Sequence, residues 1–387
     1  MPFVSYPYEW TFGMLRDAAL LQLALMRDAL EEGLILKDAT PYNVQFRGAE
    51  PVFIDVGSFE RLREGEPWAG YRQFCMQFLF PLMLTAYRGI AHQPLLRGRM
   101  DGITPAECRA MLSFRDRFRR GTTSNVFLHA RLDRRQAEVT RDVKTEIKRA
   151  GFKTELIKAN VRKLEKVVRG LEWRVKGSTW SDYGATTSYT EEGAEEKLRF
   201  VREVVETRSW GQVWDLGCND GRFSRVAAER ADHVVAVDLD EVVVEGLYRA
   251  LRAEGVRNVL PLTMSLSDPS PALGWRGAER PRFEDRGRPD LVLALALVHH
   301  VCITDNVPVA DFVRWLAERG GAVVVEFVER EDPMAAGLLA RKVEGSNPDY
   351  EPGHFERCLR EHFTIERQVR VPPGTRTLYH ATAPAGR

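Results

Sequence analysis

The stretch Val213-Trp-Asp-Leu-Gly-Cys-Asn-Asp-Gly-Arg-Phe-Ser224 has the residue types and spacing to hold a small ligand against the main chain. An apolar run leads into Gly217 and Gly221, and a helical pattern follows. Glycines here let the backbone pass close to a ligand where a Cβ would collide. Asp215 precedes the first glycine, which argues against a pyrophosphate-binding loop, because that fingerprint is GxGxxG and its ligand is anionic. A carboxylate suits a ligand with an ammonium group. A second acid, Asp238, ends the apolar run Val234-Val-Ala-Val-Asp238. An acid at the tip of a second strand accepts both ribose hydroxyls. The expected ligand has a ribose and an ammonium but no required phosphate, a description that S-adenosylmethionine meets.

A second constellation follows the apolar run Asp290–Val298, which leads directly into His299 and His300. In open α/β sheets, ligands bind at the carboxyl ends of strands. A near-neutral imidazole placed there suits a general base. His299 and His300 are therefore the catalytic candidates, against the plainer reading that both are loop or core histidines. Glu326 and Glu329 end a further apolar run and either line the substrate pocket or are solvated acids. Trp180, Tyr183 and Tyr189 stand in a Gly/Thr-rich stretch, where they form either a lid over a sulfonium or an ordinary linker.

These residues need a scaffold. Five apolar runs, Gln212–Leu216, Val234–Val237, Val259–Leu262, Leu291–Leu297 and Ala322–Phe327, alternate with helical stretches. That alternation predicts a parallel sheet covered by helices. A tail of Phe363–Val371 and Thr377–Thr382, turned by Pro372-Pro373-Gly374, predicts an antiparallel hairpin. Upstream, Trp10–Leu36 reads as one helix stopped by Gly33, with Leu15, Ala18, Ala19, Leu23, Met26 and Leu30 at helical spacing. Val44–Phe46 and Pro51–Val56 read as a hairpin around Arg47-Gly48. Tyr71 to about Leu132 is helical and rich in aromatics. Thr154–Val175 reads as a basic amphipathic helix with Ile157, Val161, Leu164, Val168, Leu171 and Val175 on one stripe. Glu191–Arg208 reads as the helix that precedes the sheet.

The chain has 387 residues, 44% of them hydrophobic, enough for two cores. Its formal net charge is +1, so nothing pulls the whole molecule toward nucleic acid or acidic lipid. Locally the balance differs: Arg115–Lys176 holds 19 Lys/Arg against 8 Asp/Glu. That segment is a docking surface for nucleic acid or a solvated helix face, and the interleaved Glu residues favour the second. Cys75, Cys108, Cys218, Cys302 and Cys358 are scattered, with no CxxC or CxxH spacing. A reduced, cytoplasmic protein without disulfides or a metal site is expected. No signal peptide or bilayer-spanning run is apparent. The oligomeric state is left open.

Lys197 to about Thr382 resembles the class I methyltransferase superfamily, on the motif DxGxxxG (Asp215, Gly217, Gly221) and the acid Asp238. The resemblance implies a Rossmann-like seven-stranded sheet whose last strand is antiparallel. It implies cofactor contacts from Asp215, Gly217, Cys218, Asn219, Asp220, Gly221, Asp238 and Leu239. It also implies contacts from Ser265 and Leu266, and from Tyr189 if the preceding stretch is a lid. The family often has an acid after the third strand; here Ser265 takes that place and Asp268 lies further on. The fourth strand lacks the Asp/Asn-Pro-Pro-aromatic motif of many amino methyltransferases, which favours a hydroxyl or carbon acceptor on a small molecule such as a saccharide or natural product. A nucleic-acid methyltransferase docking through 115–176 is the alternative, and a non-catalytic scaffold the second.

Asp38-Ala-Thr-Pro-Tyr-Asn43 and Phe53-Ile-Asp-Val-Gly57 resemble the catalytic and metal-binding loops of aminoglycoside/choline kinase-like phosphotransferases. The resemblance implies Asp38 as base and Asn43 and Asp55 as metal ligands. Leu36 replaces the usual histidine, and no Gly-rich loop or paired Lys precedes, so a kinase-C-lobe-like remnant is expected. The layout as a whole resembles bacterial methyltransferases that include NoeA-like nodulation sequences, on Leu36–Gly70 and Leu295–His300. The expected domains are 1-132, mainly helical; 133-190, a basic helical linker and lid; and 191-387, the methyltransferase domain.

Overall fold

The computed structural model describes residues 1–131, 153–174 and 190–384. The chain divides into two compact units. One is Ser5–Phe46 with Glu50–Lys176; the other is Met1–Val4, Arg47–Ala49 and Gly177–Arg387.

The N-terminal unit is built on helix α1, Phe12–Glu31, whose first turn is capped by the Thr11 hydroxyl accepting from the Met14 amide. Leu15, Ala18, Ala19, Leu23, Met26 and Leu30 are all buried, as their spacing predicts. The helix ends sooner than expected. Gly33 reverses the chain at φ +70, and Leu34–Leu36 becomes strand β1. Strands β2 (Val44–Arg47) and β3 (Glu50–Phe53) form the predicted hairpin. β1 pairs antiparallel with β4, Phe59–Arg61, so the apolar residues after Gly33 serve a ladder instead of another helical turn. From Tyr71 to Arg88 the chain is helical through a π-helical section, with Phe74, Phe78 and Phe80 fully buried.

Helix α2, Thr154–Arg169, was expected as part of a linker. Instead it packs on α1: Ile157, Val161, Leu164 and Val168 are buried, and Lys158 pairs with Glu31 at 2.9 Å. An apolar stripe of that width must be covered, and α1 covers it. It ends at Arg169, six residues before Val175, with Gly170 at its C-cap. Val175 lies outside the described residues.

The second unit begins with helix α3, Glu191–Glu206, capped by Thr190. A seven-stranded sheet follows. Its strands are β5 (Trp210–Leu216), β6 (Ala231–Asp238), β7 (Val259–Thr263), β8 (Leu291–Ala294), β9 (Ala322–Val328), β10 (Thr364–Val371) and β11 (Arg376–Thr382). Helices α4 (Arg222–Ala228), α5 (Glu241–Glu254), α6 (Val309–Arg319), α7 (Pro333–Leu339) and α8 (Pro352–His362) intervene. The spatial order is β10-β11-β9-β8-β5-β6-β7. Strands β5 to β9 are parallel, and β11 runs antiparallel to both β9 and β10. The chain starts at β5, works outward through β6 and β7, then returns to the other side of β5 as β8. That reversal opens a crevice above the carboxyl ends of β5 and β8. This is the Rossmann-like sheet with a terminal antiparallel hairpin that the sequence implies. Phe3, at the far end of the sequence, belongs to this unit too, packing edge-on to Trp214 with ring centroids 6.1 Å apart.

Candidate functional site

A cavity of about 740 Å³ lies over the switch point. Its floor is the turn that follows β5. Gly217 and Gly221 both have positive φ, +75 and +78, and Asn219 joins them at +48. A Cβ at Gly221 would meet Leu247 Cδ1 at 2.4 Å, so the turn can run this close to α5 only with glycine. Gly217, Cys218, Asn219 and Asp220 all line the cavity.

Asp215 and Asp238 face the same space from adjacent strand ends. Asp215 accepts a 2.5 Å hydrogen bond from the Ser224 hydroxyl through Oδ2, and Oδ1 has no hydrogen-bond partner among the described residues. Burial pushes its carboxyl up to about 6. Asp238 accepts from the amides of Asn219 and Asp240, both at 2.9 Å, one to each oxygen. Those two bonds fix the carboxylate plane and hold the glycine turn to β6. Burial also raises the Asp238 pKa, against these hydrogen bonds. A buried acid, Asp215, beside a partly buried one, Asp238, makes a region that favours a cation and hydrogen-bond donors.

Leu239, Ser265 and Leu266 line the cavity beyond Asp238. Asp268 is not among the lining residues; the Ser265 hydroxyl instead meets the Ser267 hydroxyl at 3.0 Å. Tyr189, Trp180 and Tyr183 lie outside the described residues.

The two histidines part company. β8 ends at Ala294, three residues before the expected Leu297, and Ala296 takes φ +52. This is a rare conformation for a residue with a Cβ, and it turns the chain into the cavity wall. Leu297 then packs beside Gly217, and His300 opens a π-helical turn, His300–Thr304, that lines the cavity. His299 points away from it. Its side chain is fully buried, does not line the cavity, and neither ring nitrogen has a hydrogen-bond partner among the described residues. The two rings touch at a tilt of 40°, with centroids 4.1 Å apart. Burial lowers His300 to about 4 and His299 well below its ordinary value. His299 is thus corrected from catalytic candidate to buried support, because a helical turn sends consecutive side chains about 100° apart.

Glu326 is neither a lining acid nor a solvated one. It is wholly buried in β9, accepts from Lys197 Nζ at 2.7 Å, and sits 3.7 Å from Arg376. Arg376 in turn grips Asp332 through two bonds of 2.8 and 3.0 Å, and the Asp332 carboxylate caps α7 at the Met334 amide. This chain of charges fastens α7, whose Met334, Gly337 and Leu338 form a cavity wall. Lys197 itself lines the cavity near Asp215. Sequence reading passed over Lys197, Arg376 and Asp332. The available signal was an acid inside Ala-Val-Val-Val-Glu-Phe-Val, since a buried carboxylate requires a partner. Glu329 pairs instead with Arg370 at 3.0 Å.

In the N-terminal unit, Asn43 and Asp55 come together through one hydroxyl. Asn43 Nδ2 donates to Ser58 Oγ at 2.9 Å, and Ser58 donates to Asp55. Asp38 is held near by its main chain, with Gln22 Nε2 donating to its carbonyl at 3.4 Å. No group of three His, Cys, Asp or Glu able to hold a metal is found among the described residues. No described helix is long and apolar enough to cross a membrane.

No protein-family model matches the chain. The nodulation protein NoeA of Rhizobium meliloti (strain 1021) is 35% identical over 379 residues, 97% of this chain and 79% of that protein. Among solved structures, N-methyltransferase NodS from Bradyrhizobium japonicum WM9, in complex with S-adenosyl-L-homocysteine, is 12% identical with a TM-score of 0.38. It covers 54% of this chain and 100% of its own. Magnesium protoporphyrin IX methyltransferase from Synechocystis PCC 6803, with bound S-adenosylmethionine, is 15% identical with a TM-score of 0.34, covering 49% and 80%. None of these likenesses concerns a phosphotransferase, and they lend the kinase-like reading of residues 1–132 no support.

Proposed function

The chain belongs to the family of the nodulation protein NoeA, and on that premise we propose that it is an S-adenosylmethionine-dependent methyltransferase acting on a small molecule. The observation that carries the reading is the pair of cavity-lining carboxylates, the buried Asp215 and the partly buried Asp238, bracketing a glycine turn at the switch point of the sheet. The donor set fits the cofactor. Asp215, with one oxygen unengaged, receives the ammonium; Asp238, its plane fixed by two amides, receives the ribose hydroxyls; Ser265 and Leu266 border the adenine. When bound, the cofactor supplies an electrophilic methyl group on a sulfonium.

The residues of this chain do the rest by positioning. The glycine turn and α7 enclose the reacting groups and exclude water. His300 faces the cavity as a neutral imidazole, able to accept a hydrogen bond from an acceptor hydroxyl and to orient it. With its pKa near 4 it is a weak base, so its contribution is alignment as much as proton removal. Met334, Leu338, Leu297 and Val301 give the acceptor side an apolar wall. An oxygen or carbon acceptor on a saccharide or natural product fits such a wall better than a strongly hydrated ammonium does.

Calorimetry with S-adenosylmethionine and its demethylated product tests the cofactor assignment directly. Saturable binding that Asp238→Ala weakens supports it, and absence of binding by folded protein rejects it. Transfer of a labelled methyl group to metabolite and RNA pools tests the acceptor class.

We further read Asp38, Asn43 and Asp55 as the vestige of a phosphotransferase loop. The pairing of β1 with β4, and the β2–β3 hairpin between the two loops, support it.

A further inference from the structure

A second cleft, of about 370 Å³, lies wholly within the N-terminal unit. Three cations stand on one side of it: Arg162, Lys163 and Lys166, all from α2. Arg120 faces them from the loop that reaches Gly121, and Ala159 and Val167 complete the lining. No acidic residue is among the described residues that line it. Gly121 has φ +78, and a Cβ there would come within 2.8 Å of the Val167 methyls. Glycine therefore lets this loop close on the helix, which brings Arg120 to the cleft.

The surrounding basic residues behave differently. Lys158 pairs with Glu31, Arg169 with Glu165, Arg119 with Asp116 and Arg174 with Glu172, at 2.6–3.0 Å. None of the four cleft cations has an ion pair among the described residues. Like charges three and four residues apart on a helix repel. Four of them around one cleft form an arrangement that an anion relieves.

We infer that this cleft binds a compact polyanion, the di- or triphosphate group of a small molecule. Lys and Arg donors give short, charge-assisted bonds to phosphate oxygens. Confinement decides between a compact ligand and an RNA strand. A strand follows a stripe of available cations along its backbone. Along α2 itself, Lys158 and Arg169 are held by carboxylates, and the three available cations between them all face the cleft. The cleft is independent of the methyl-transfer site, so either reading stands if the other fails.

The test is calorimetry on the full chain at low salt, with inorganic tripolyphosphate and with a nucleoside diphosphate. Binding should be saturable at one site. K163E/K166E should lose at least about tenfold in affinity, equivalent to about 1.4 kcal/mol. Arg162→Gln should lose less. K153E/R174E makes the same change in net charge outside the cleft, and should lose less than about threefold, as exposed pairs do. All five positions altered, Lys153, Arg162, Lys163, Lys166 and Arg174, are exposed, so melting temperatures should match and the loss should report binding alone. The proposal is overturned if neither phosphate saturates. It is equally overturned if both double variants lose alike, or if an RNA oligonucleotide binds more tightly than tripolyphosphate with both variants weakened equally. The last two results would mark a diffuse basic surface.

Discussion

The two clefts use charge in opposite ways. Over the sheet, Lys197, Glu326 and Arg376 are buried and locked to one another, and the buried Asp215 is held by the Ser224 hydroxyl. In the N-terminal unit, Arg120, Arg162, Lys163 and Lys166 are exposed and have no ion pair among the described residues. Buried charges interact in a low dielectric, so they shift pKa values and each removal costs much. Exposed ones are screened by water and salt and act only in concert. The first arrangement gives a shaped, specific site; the second gives a tunable attraction for an anion.

The largest effect that would sharpen this contrast is Lys197→Ala. It removes the cation that stands 2.7 Å from the wholly buried Glu326 carboxylate. Breaking a buried pair costs about 3–5 kcal/mol, and denaturant unfolding should show it. A change under about 1 kcal/mol, the scale of an exposed pair, would break the comparison.

Next is His300→Ala. If the imidazole aligns and deprotonates the acceptor, kcat should fall by about 10²-fold or more while cofactor affinity barely changes. His299→Ala should instead lower stability, because it empties a buried site without touching the cavity. Equal kinetic profiles for the two variants would show that neither face of the turn matters to transfer.

Asp238→Ala should weaken S-adenosylmethionine by roughly tenfold to a hundredfold, the worth of a charge-assisted hydrogen bond of about 1.5–3 kcal/mol. Unchanged calorimetric affinity in folded protein would remove Asp238 from the site.

Titration separates the buried groups from the exposed cleft. His92, His233 and His300 are lowered to about 4 by burial, from an ordinary value of 6.5. Between those values the unfolded chain binds protons that the folded chain does not, so stability rises with pH across that window. Each histidine contributes up to about 1.4 kcal/mol per pH unit. Asp215 is raised from 3.8 to about 6, so it opposes this, losing stability as pH rises through its own window. His299 is lowered as well and Asp238 raised, so the lowered histidines outnumber the raised acids and predict net acid lability between about pH 6.5 and 4. Flat stability across that range would mean these imidazoles are not held neutral.

The smallest expected effect is none. Asp38→Ala and Asp55→Ala should leave methyl transfer intact, since their cluster lies in the other unit. Magnesium-dependent ATP binding abolished by either substitution would show an active phosphotransfer site in place of a vestige.

Much of this was legible in residue order. The apolar runs around Val213, Val234, Val259, Leu291 and Val323 announced a parallel sheet because strands buried on both faces have no polar alternation to show. Gly217, Gly221, Asp215 and Asp238 announced a ligand because positive φ and strand-tip acids are local requirements, written within a few residues. The boundaries that failed were those where local pattern competed with distant partners. Leu34–Leu36 continued a helical stripe but found β4 across the ladder, and α2 looked like a linker until α1 was there to cover its apolar face.

Chain order alone therefore determined the sheet, the glycine turn and the two acids, because each is encoded by neighbours in sequence. Tertiary structure decided the rest. It chose His300 over His299 for the cavity, since the left-handed turn at Ala296 sets which side of the helix faces inward. It joined Lys197, Glu326, Arg376 and Asp332, which stand as far as 179 positions apart in the sequence, into one buried array. It also sorted the basic residues of α2 into those neutralised by a carboxylate and those left facing a cleft. Pairing across such separations depends on where the chain returns in space, and no local periodicity carries that information.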